Sequence, residues 1–582
     1  MSVPAVAQSK PFPTYSPGEN LSGTQGPNYP STLPNPWVVS DGAIITPAGT
    51  PVYLSTTTRA KAVAVNPTGN HTAAVLQLGA HQAVTIFNTQ TGAVLQNYKT
   101  LGTDAQGSTT GITYTPDGNW LLFSQDDSFV GMASVDPTTG MLSDHAHISV
   151  PMDVDSNGVL TTVTCFPNSP GGTTGSVLIP CGQTVSINSD GTVTSYPMGI
   201  AVTPDGKTAY VVLDNNDTLT KIDLTASSPA EGAEVRVGNV PHSVVISADG
   251  KTAYVSNSGG RIAKESDFQG YSNGTPVVAA WPTGSPASGT VSVVDLTTFK
   301  VTDSITTGLY PSGMAWYGKK LLVANALSDT ISVIDTRDNR VERTIDLGLP
   351  IRIPGERGSA YGAGPNSIAV DDKKDIAYVA LYNANAVAVV DLRDNGWDPV
   401  RGMIPVGYAP SSVVLDTVDD VLIVANDKGI GTTGFQNTPP ENSTTTSHGS
   451  PAALNTHQDL GIVSIVPIPS HATLDAMTHQ VFENNHWDLR ENIWSAGGGN
   501  RHEREAAIPR RIGDPSKIKH VFVIIRENRT YDQILGDVVG GNGEPSLAVF
   551  GDGSAAQSEF SYEVTPNAHH LVQRFPLLDN FY

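Results

Sequence analysis

From about residue 60 to residue 470 the chain alternates apolar and polar positions in short runs, and one run recurs seven times. The unit reads P-x-S-I-A-V-x-P-D-G-K-x-A-Y-V-x-N, then a few polar residues, then T-V-S-V-I-D-x-x-T-x-x-V-x-x-x-I-x-V-G. Its clearest copies are Met198–Val212 and Pro241–Val255; others begin near Lys61, Gly111, Ser312, Asn366 and Ser411. A period of two predicts strands with one face buried. The P-D-G or A-D-G between the first two strands is a tight hairpin signal, because Gly tolerates positive φ and Asp bonds its own turn. A third strand, as in Thr330–Asp335, ends at an Asp, and a fourth follows, as in Arg340–Asp346.

Four short antiparallel strands per ~40–45 residues describe one propeller blade. Gly199 and Ser243 are 44 residues apart, and Ser367 and Ser412 are 45 apart. Seven such units predict a mainly β chain folded as a seven-bladed β-propeller, a ring that leaves no open sheet edge. The strand near Gly49–Leu54 belongs to no whole unit, so it is expected to complete the last blade. The period is stretched in three places: by residues 151–195, by Gly259–Gly289 and by Gly429–Asp459. Insertions of this kind usually share one face, where binding occurs. The last of them is rich in Ser, Thr, Pro and Asn, and a plain surface loop is the simpler reading of its composition.

Composition agrees with a turn-rich β protein: 57 Gly, 41 Pro and only 15% charged residues in 582. The formal charge of −22 argues against nucleic acid as a partner, since phosphate binding needs clustered Lys and Arg. No run of apolar residues is long enough to span a membrane as a helix. Ala5-Val6-Ala7 has the small-x-small pattern of a signal-peptidase site without the basic and apolar regions that precede one. That leaves an extracytoplasmic, periplasmic or secreted, setting as an expectation. The only cysteines, Cys165 and Cys181, stand as a disulfide closing a short loop or as two unpaired thiols.

Ala253-Tyr254-Val255-Ser256-Asn257 and Leu322-Val323-Ala324-Asn325 give the repeats a resemblance to the YVTN family of β-propellers, over roughly residues 60–470. The resemblance implies the fold. It leaves function open among surface-layer proteins, lactonase-like enzymes and cofactor-dependent dehydrogenases. His71, His81, His145, His147 and His242 are scattered over the blades, and a structural or solvated role is the simpler reading of each.

After residue 470 the β pattern stops. His471–His486 has helical spacing, Gly497-Gly498-Gly499 reads as a hinge, and His479, His486 and His502 fit no metal motif. Residues 471–516 are therefore expected to be a linker. Then comes K-I-K-H-V-F-V-I-I-R-E-N-R-T-Y-D-Q. Ile518–Ile525 is apolar on successive residues, as a strand buried on both faces of a parallel sheet would be. Glu527 and Asn528, just past it, offer oxygen ligands to a divalent cation. Thr530 and Gln533 form a T-x-x-Q capping box, which predicts a helix from about Tyr531. Asp532 is expected to brace that motif.

Glu527-Asn528-Arg529-Thr530-Tyr531-Asp532, Thr565–Leu571 and Leu578–Tyr582 resemble, in order, motifs of the phosphoesterase family that includes bacterial phospholipase C and acid phosphatases, within the alkaline phosphatase superfamily. The resemblance implies a metal-dependent phosphoester hydrolase, with Glu527 and Asn528 holding a divalent metal ion. It places the Ser/Thr nucleophile and the distal Asp/His ligands beyond Tyr582, so the segment is expected to be a truncated α/β domain, inactive alone and poorly packed. His569 and His570 carry no assigned ligand role.

The chain therefore divides into an extension (1–36), the propeller (37–470), the linker (471–516) and an incomplete phosphoesterase domain (517–582). Two functions compete. The first is phosphoester hydrolysis by the full-length protein, with the propeller engaging the phosphoester substrate or a protein or cell-surface partner. The second is an extracytoplasmic binding or surface protein without catalysis, or a lactonase-like propeller enzyme.

Overall fold

The computed structural model describes residues 37–579 except 40–42, 55–57, 80–83, 100–106, 126–127, 152–176, 179–183, 186–193, 273–274, 282, 349–361, 395–398, 432–458, 486, 488–503, 509–513, 523, 525–528 and 554–560. It forms two compact units, residues 1–488 and 489–582.

The first unit holds seven four-stranded antiparallel sheets. Their first strands are Arg59–Val65, Gly107–Tyr114, Pro197–Val202, Asn239–Ile246, Pro311–Tyr317, Pro365–Asp371 and Tyr408–Asp416. Each of these lies beside the next, and the seventh returns to the first, so they form the inner wall of a closed ring. The expected third and fourth strands of blade five, Thr330–Asp335 and Arg340–Asp346, form with those bounds. Thr50–Tyr53 pairs antiparallel with Ile462–Pro467, Val52 opposite Val463, and supplies the outer strand of blade seven. The ring is thus closed by joining its two ends, as the stray strand in the sequence suggested.

In three blades a buried amide fastens the second strand to the third and receives the end of the preceding blade. Asn257, Asn325 and Asn426 lie at or near the ends of the second strands of blades four, five and seven and have no exposed surface. Asn257 Nδ2 donates to Thr290 Oγ1 (3.1 Å) and Ser292 Oγ (3.0 Å). Asn325 Nδ2 donates to Thr330 Oγ1 and Ser332 Oγ, both at 3.0 Å. Asn426 Nδ2 reaches Ser464 Oγ at 3.1 Å. This is what the T-x-S opening of the third strand is for. The glycine that ends the preceding blade packs on the amide: a Cβ at Gly238, Gly308 or Gly407 would lie 2.5, 2.7 or 2.8 Å from the carboxamide carbon of Asn257, Asn325 or Asn426.

Residues 471–484 form a helix, capped by Ser470. It lies along Val400–Pro405, the outer strand of blade six, with Leu474 and Met477 in the core there. Met403 N–H donates to Thr478 Oγ1 at 2.9 Å, so a side chain satisfies a donor of that outer edge strand. Asn484 and Asn485 then tie the helix end to Thr46 Oγ1 (2.9 Å) and the Ala384 carbonyl (3.1 Å). The helical spacing read from the sequence is correct, and the helix belongs to the propeller unit.

The second unit, residues 489–582, contains helices at Tyr531–Leu535 and Pro566–Arg574. The strand expected over Ile518–Ile525 is not formed among its described residues. Val521, Phe522 and Ile524 are 77%, 89% and 82% exposed. An apolar run gains from extension only when a neighbouring strand accepts its ladder, and the described residues of this unit supply none. The α/β layering implied by the phosphoesterase resemblance is correspondingly not visible there.

The Asn–Gly contact between blades yields a thermodynamic test. Asn325→Ala should cost ~1–3 kcal/mol, since the hydroxyls of Thr330 and the buried Ser332 lose their donor. Gly308→Ala should cost ~1–3 kcal/mol by overpacking against the amide. The double variant should fall short of their sum by ~0.5–3 kcal/mol, because removing the amide makes room for the methyl. Urea denaturation of all four proteins measures this, and simple additivity would show that the two residues do not act as one contact.

Candidate functional site at the loop face

In each blade the second-to-third and fourth-to-first connections emerge on one side of the ring, here called the loop face. The P-D-G turns emerge on the other. All three long excursions of the sequence are connections of the first kind, together with residues 347–364, so all open on the loop face. Residues 151–195 follow the fourth strand of blade two, and Cys165 and Cys181 lie outside the described residues.

The axial channel has a volume of about 180 Å³ and is lined from all seven blades. The pairing registers make Lys61, Thr110, Met198, His242, Ser312, Asn366 and Ser411 equivalent, one per blade. The next position is Ala62, Gly111, Gly199, Ser243, Gly313, Ser367 and Ser412. Those residues are small because the inner strands meet there. A Cβ at Gly111 would lie 2.0 Å from the Met198 carbonyl oxygen, and one at Gly313 would lie 2.5 Å from that of Asn366.

Lys61 is the one ammonium on this ring, and its partner is Asp427 from blade seven, Nζ to Oδ1 3.0 Å. Arg59 Nε and Nη2 donate to the same carboxylate at 3.0 and 2.6 Å. Tyr382 Oη donates to it at 2.9 Å, across from blade six. Asp427 is 2% exposed. Burial lowers the pKa of Lys61 despite that charge, and it raises that of Tyr382 together with Asp427. The carboxylate is saturated by donors from two neighbouring blades, one and six, which makes it a point where three blades are fastened and removes it as a general base.

Across the ring, Asp217 is fully buried and accepts from Val240 N (2.7 Å), Thr275 Oγ1 (2.8 Å) and Arg236 Nη2 (3.2 Å). Arg236 Nη1 also donates to the carbonyls of Asp217, Val237 and Gly238. Beside this pair stands Asp214, whose pKa is pushed up to about 8 by burial and then by the charge of Asp217. His242, enclosed on the channel wall with Nδ1 3.3 Å from Ser243 Oγ, has its pKa lowered to about 4 by burial. Burial thus favours the neutral form of both the imidazole and the Asp214 carboxyl.

The other histidines keep structural roles. His71 Nδ1 bonds Asp419 Oδ1 at 2.7 Å, while His145 and His147 lie against Trp120 and Phe129. His81, His486 and His502 fall outside the described residues, and His479 is exposed on its helix. Two other clefts are larger than the channel. One, of about 590 Å³ between blades four and five, has no ionisable lining residue. The other, of about 670 Å³, lies on the turn face against Asp335, Asp372 and Asp375.

Glu527 and Asn528 lie outside the described residues. Among the described residues no three His, Cys, Asp or Glu side chains are grouped to hold a metal ion. The motif that follows is folded as its sequence required. Thr530 Oγ1 accepts from Gln533 N at 3.3 Å, the Gln533 side chain answers to Thr530 N, and the helix starts at Tyr531. Asp532 braces the loop after the helix by accepting from Glu544 N at 2.8 Å. His569 is buried, with Nε2 2.9 Å from Asp537 Oδ1 and Nδ1 3.0 Å from the Thr565 carbonyl. Burial lowers its pKa, but Asp537 and the Thr565 carbonyl outweigh that and the net shift is upward. Both ring nitrogens donate, so this clasp stabilises below the ordinary histidine value and loosens as pH rises through the raised one.

Comparison with known proteins follows the same outline. The choice-of-anchor I domain family matches residues 230–430, which run from the end of blade three into blade seven. Among solved structures the chain is similar to Kuenenia stuttgartiensis hydrazine synthase at 16% identity, covering 65% of this chain and 95% of that one with a TM-score of 0.43. It is also similar to streptogramin B lyase at 12% identity, covering 72% and 97% with a TM-score of 0.43. Neither likeness is close enough to carry a functional argument. No curated protein matches. No helix among the described residues is long and apolar enough to cross a membrane.

The raised pKa of Asp214 makes stability depend on pH. Between about pH 4 and about pH 8 the unfolded chain has Asp214 ionised while the folded protein holds its proton, so stability falls as pH rises through that window. Asp214→Asn removes the penalty. Its melting temperature should match the parent near pH 4, pull ahead between pH 4 and 8, and keep a constant lead above that. Parallel melting curves across pH 4–9 would show that Asp214 is not held neutral.

Proposed function

We propose that this chain is an extracytoplasmic binding or surface protein whose partner is held on the loop face of the propeller. One observation carries the reading: the strands that flank every long departure from the four-strand unit end on that face. The chemistry of the face agrees. Asp427 and Asp217 are saturated by Arg, Lys, Tyr, Thr and backbone donors. Among the described residues there, His242 is the only imidazole on the channel wall, and its hydrogen-bond neighbour Ser243 sits at 3.3 Å with no third group aligned behind it. That arrangement suits binding better than acyl transfer or lactone opening. The choice-of-anchor match is in keeping with a surface setting.

A photo-crosslinking residue tests the face directly. Leu327 lies on the loop face and Val418 on the turn face, and they are 51% and 57% exposed. With the protein on its native cell-envelope fraction, a crosslinker at Leu327 should give a defined adduct and one at Val418 should not. Adducts from Val418 alone, or from neither position, would refute the assignment.

A second reading rests on the folded cap after Glu527-Asn528. The Thr530 cap and the Asp532 brace follow closely after those two residues, and they support the reading. In that reading Glu527 and Asn528 supply oxygen ligands to a divalent cation, which on binding would polarise a phosphoryl oxygen. Titration calorimetry with Zn²⁺, Mn²⁺ and Ca²⁺ should then show a site that Glu527→Ala weakens at least tenfold. Metal binding indifferent to that substitution ends the reading.

A further inference from the structure

Blade four carries a hairpin that the propeller does not need. Its strands, Gln269–Ser272 and Thr275–Val278, pair antiparallel between the second and third strands of the blade, on the loop face. Ala279 N–H extends the ladder to the Phe268 carbonyl at 2.9 Å. A tight turn follows, in which Ala280 N donates to Ser285 O and Gly284 N donates to Ala280 O, each at 2.8 Å.

The hairpin is rooted in the core. Thr275 Oγ1 donates to the buried Asp217, and Asn239 Nδ2 donates to the Pro276 carbonyl at 2.7 Å. Val277 and Val278 are buried. At its outer end the opposite holds. Trp281 is 77% exposed, Phe268 42% and Tyr271 40%. Phe268 and Trp281 meet edge to face, centroids 5.1 Å apart at 86°. The indole is therefore braced by a ring and a turn while its own face stays in water, an arrangement that forgoes the burial an aromatic normally seeks.

Charge narrows what such a surface takes. From Phe268 to Val294 there is no Asp, Glu, Lys or Arg, in a chain where 15% of residues are charged. The charges that precede that stretch, Arg261, Lys264, Glu265 and Asp267, balance, and Arg261 is paired with Asp267 (2.7 Å), so no net positive charge marks the surface for a phosphate, a carboxylate or an anionic lipid headgroup. With one open ring face there is no cage for a quaternary ammonium. The rim is instead polar and uncharged, with Thr283 and Ser285 in the Trp281 turn. A partner that is uncharged, has one apolar face and presents hydroxyls around its edge is a pyranose with equatorial substituents, whose axial C–H groups form that face.

We propose that this hairpin is a binding platform for a neutral glycan, with Trp281 as the stacking surface and Phe268 as its brace. The site is separate from the channel mouth and does not depend on what the channel binds.

Native gels cast with soluble neutral polysaccharides (xyloglucan, mixed-linkage β-glucan, galactomannan, dextran) test it with the full 582-residue chain. At least one polymer should retard the parent. Trp281→Ala should weaken that retardation at least about tenfold, ~1.4 kcal/mol, with an unchanged melting temperature because the ring is exposed. Trp281→Phe should recover part of it, and Phe268→Leu should lie between. Three results overturn the proposal: no retardation by any polymer, equal retardation of Trp281→Ala, or Trp281-dependent binding to phosphatidylcholine vesicles in place of polysaccharide.

Discussion

Everything in the propeller depends on one pairing, that of Thr50–Tyr53 with Ile462–Pro467. A sheet edge left open costs unpaired donors and acceptors and invites association with other chains. Blade seven has only three strands of its own, and they end at residue 467, more than 400 residues after the strand that completes them. Loop-closure entropy grows only with the logarithm of length, so joining ends that far apart costs little more than joining nearer ones. The gain is a ring whose seven inner strands each find two neighbours. The narrow channel follows from that closure, because inner strands in contact leave room only for Gly, Ala and Ser at the second position.

The same repeat explains the acidity of the chain better than any partner does. Asp117, Asp205 and Asp249 sit in the P-D-G or A-D-G turns, where each accepts from a Thr or Ser hydroxyl at 2.6–2.7 Å. Asp136 and Asp295 sit after the third strands and accept from two successive Thr backbone N–H groups at 2.7–2.9 Å. Those bonds favour the ionised form and hold all five carboxyls below the usual aspartate range. Their stabilisation is present above the unfolded aspartate value and fades only as pH falls through the lower folded one. A net charge of −22 is to that extent a by-product of turn chemistry, repeated blade after blade.

Legibility in the sequence followed locality. The blades, the strands of blade five, the ring-closing strand and the Thr530 cap were all readable, because short-range pattern or turn chemistry specifies each of them. Ile518–Ile525 was misread because its composition describes what a strand would need from neighbours, not whether neighbours exist. The helix at His471–Asn484 was recognised, but its docking on blade six rests on Leu474, Met477 and Thr478 meeting Gly402 and Met403, and no local signal announces that. Lys61 escaped notice for a different reason. It occupies the position where other units carry Thr, Met, His, Ser, Asn and Ser, and only the pairing registers show that these seven form one ring.

That contrast gives a rule for reading function in a repeat protein. A residue that obeys the repeat is explained by the blade: Asn257, Asn325 and Asn426 fasten the third strand, and Gly238, Gly308 and Gly407 make room for them. A residue that breaks the repeat has no such account and needs another. Lys61 breaks a ring of otherwise uncharged side chains, and Asp427 follows Asn426 where the equivalent Asn257 and Asn325 are followed by Ser258 and Ala326. The two exceptions find each other across the junction between the first and last blades, at the seam where the ring closes. Their ion pair, with Arg59 and Tyr382, secures the seam by charge. A departure from periodicity is thus either a repair of the ring or a site presented by it, and its partners decide which: the Lys61–Asp427 pair is satisfied within the ring, whereas Trp281 faces outward.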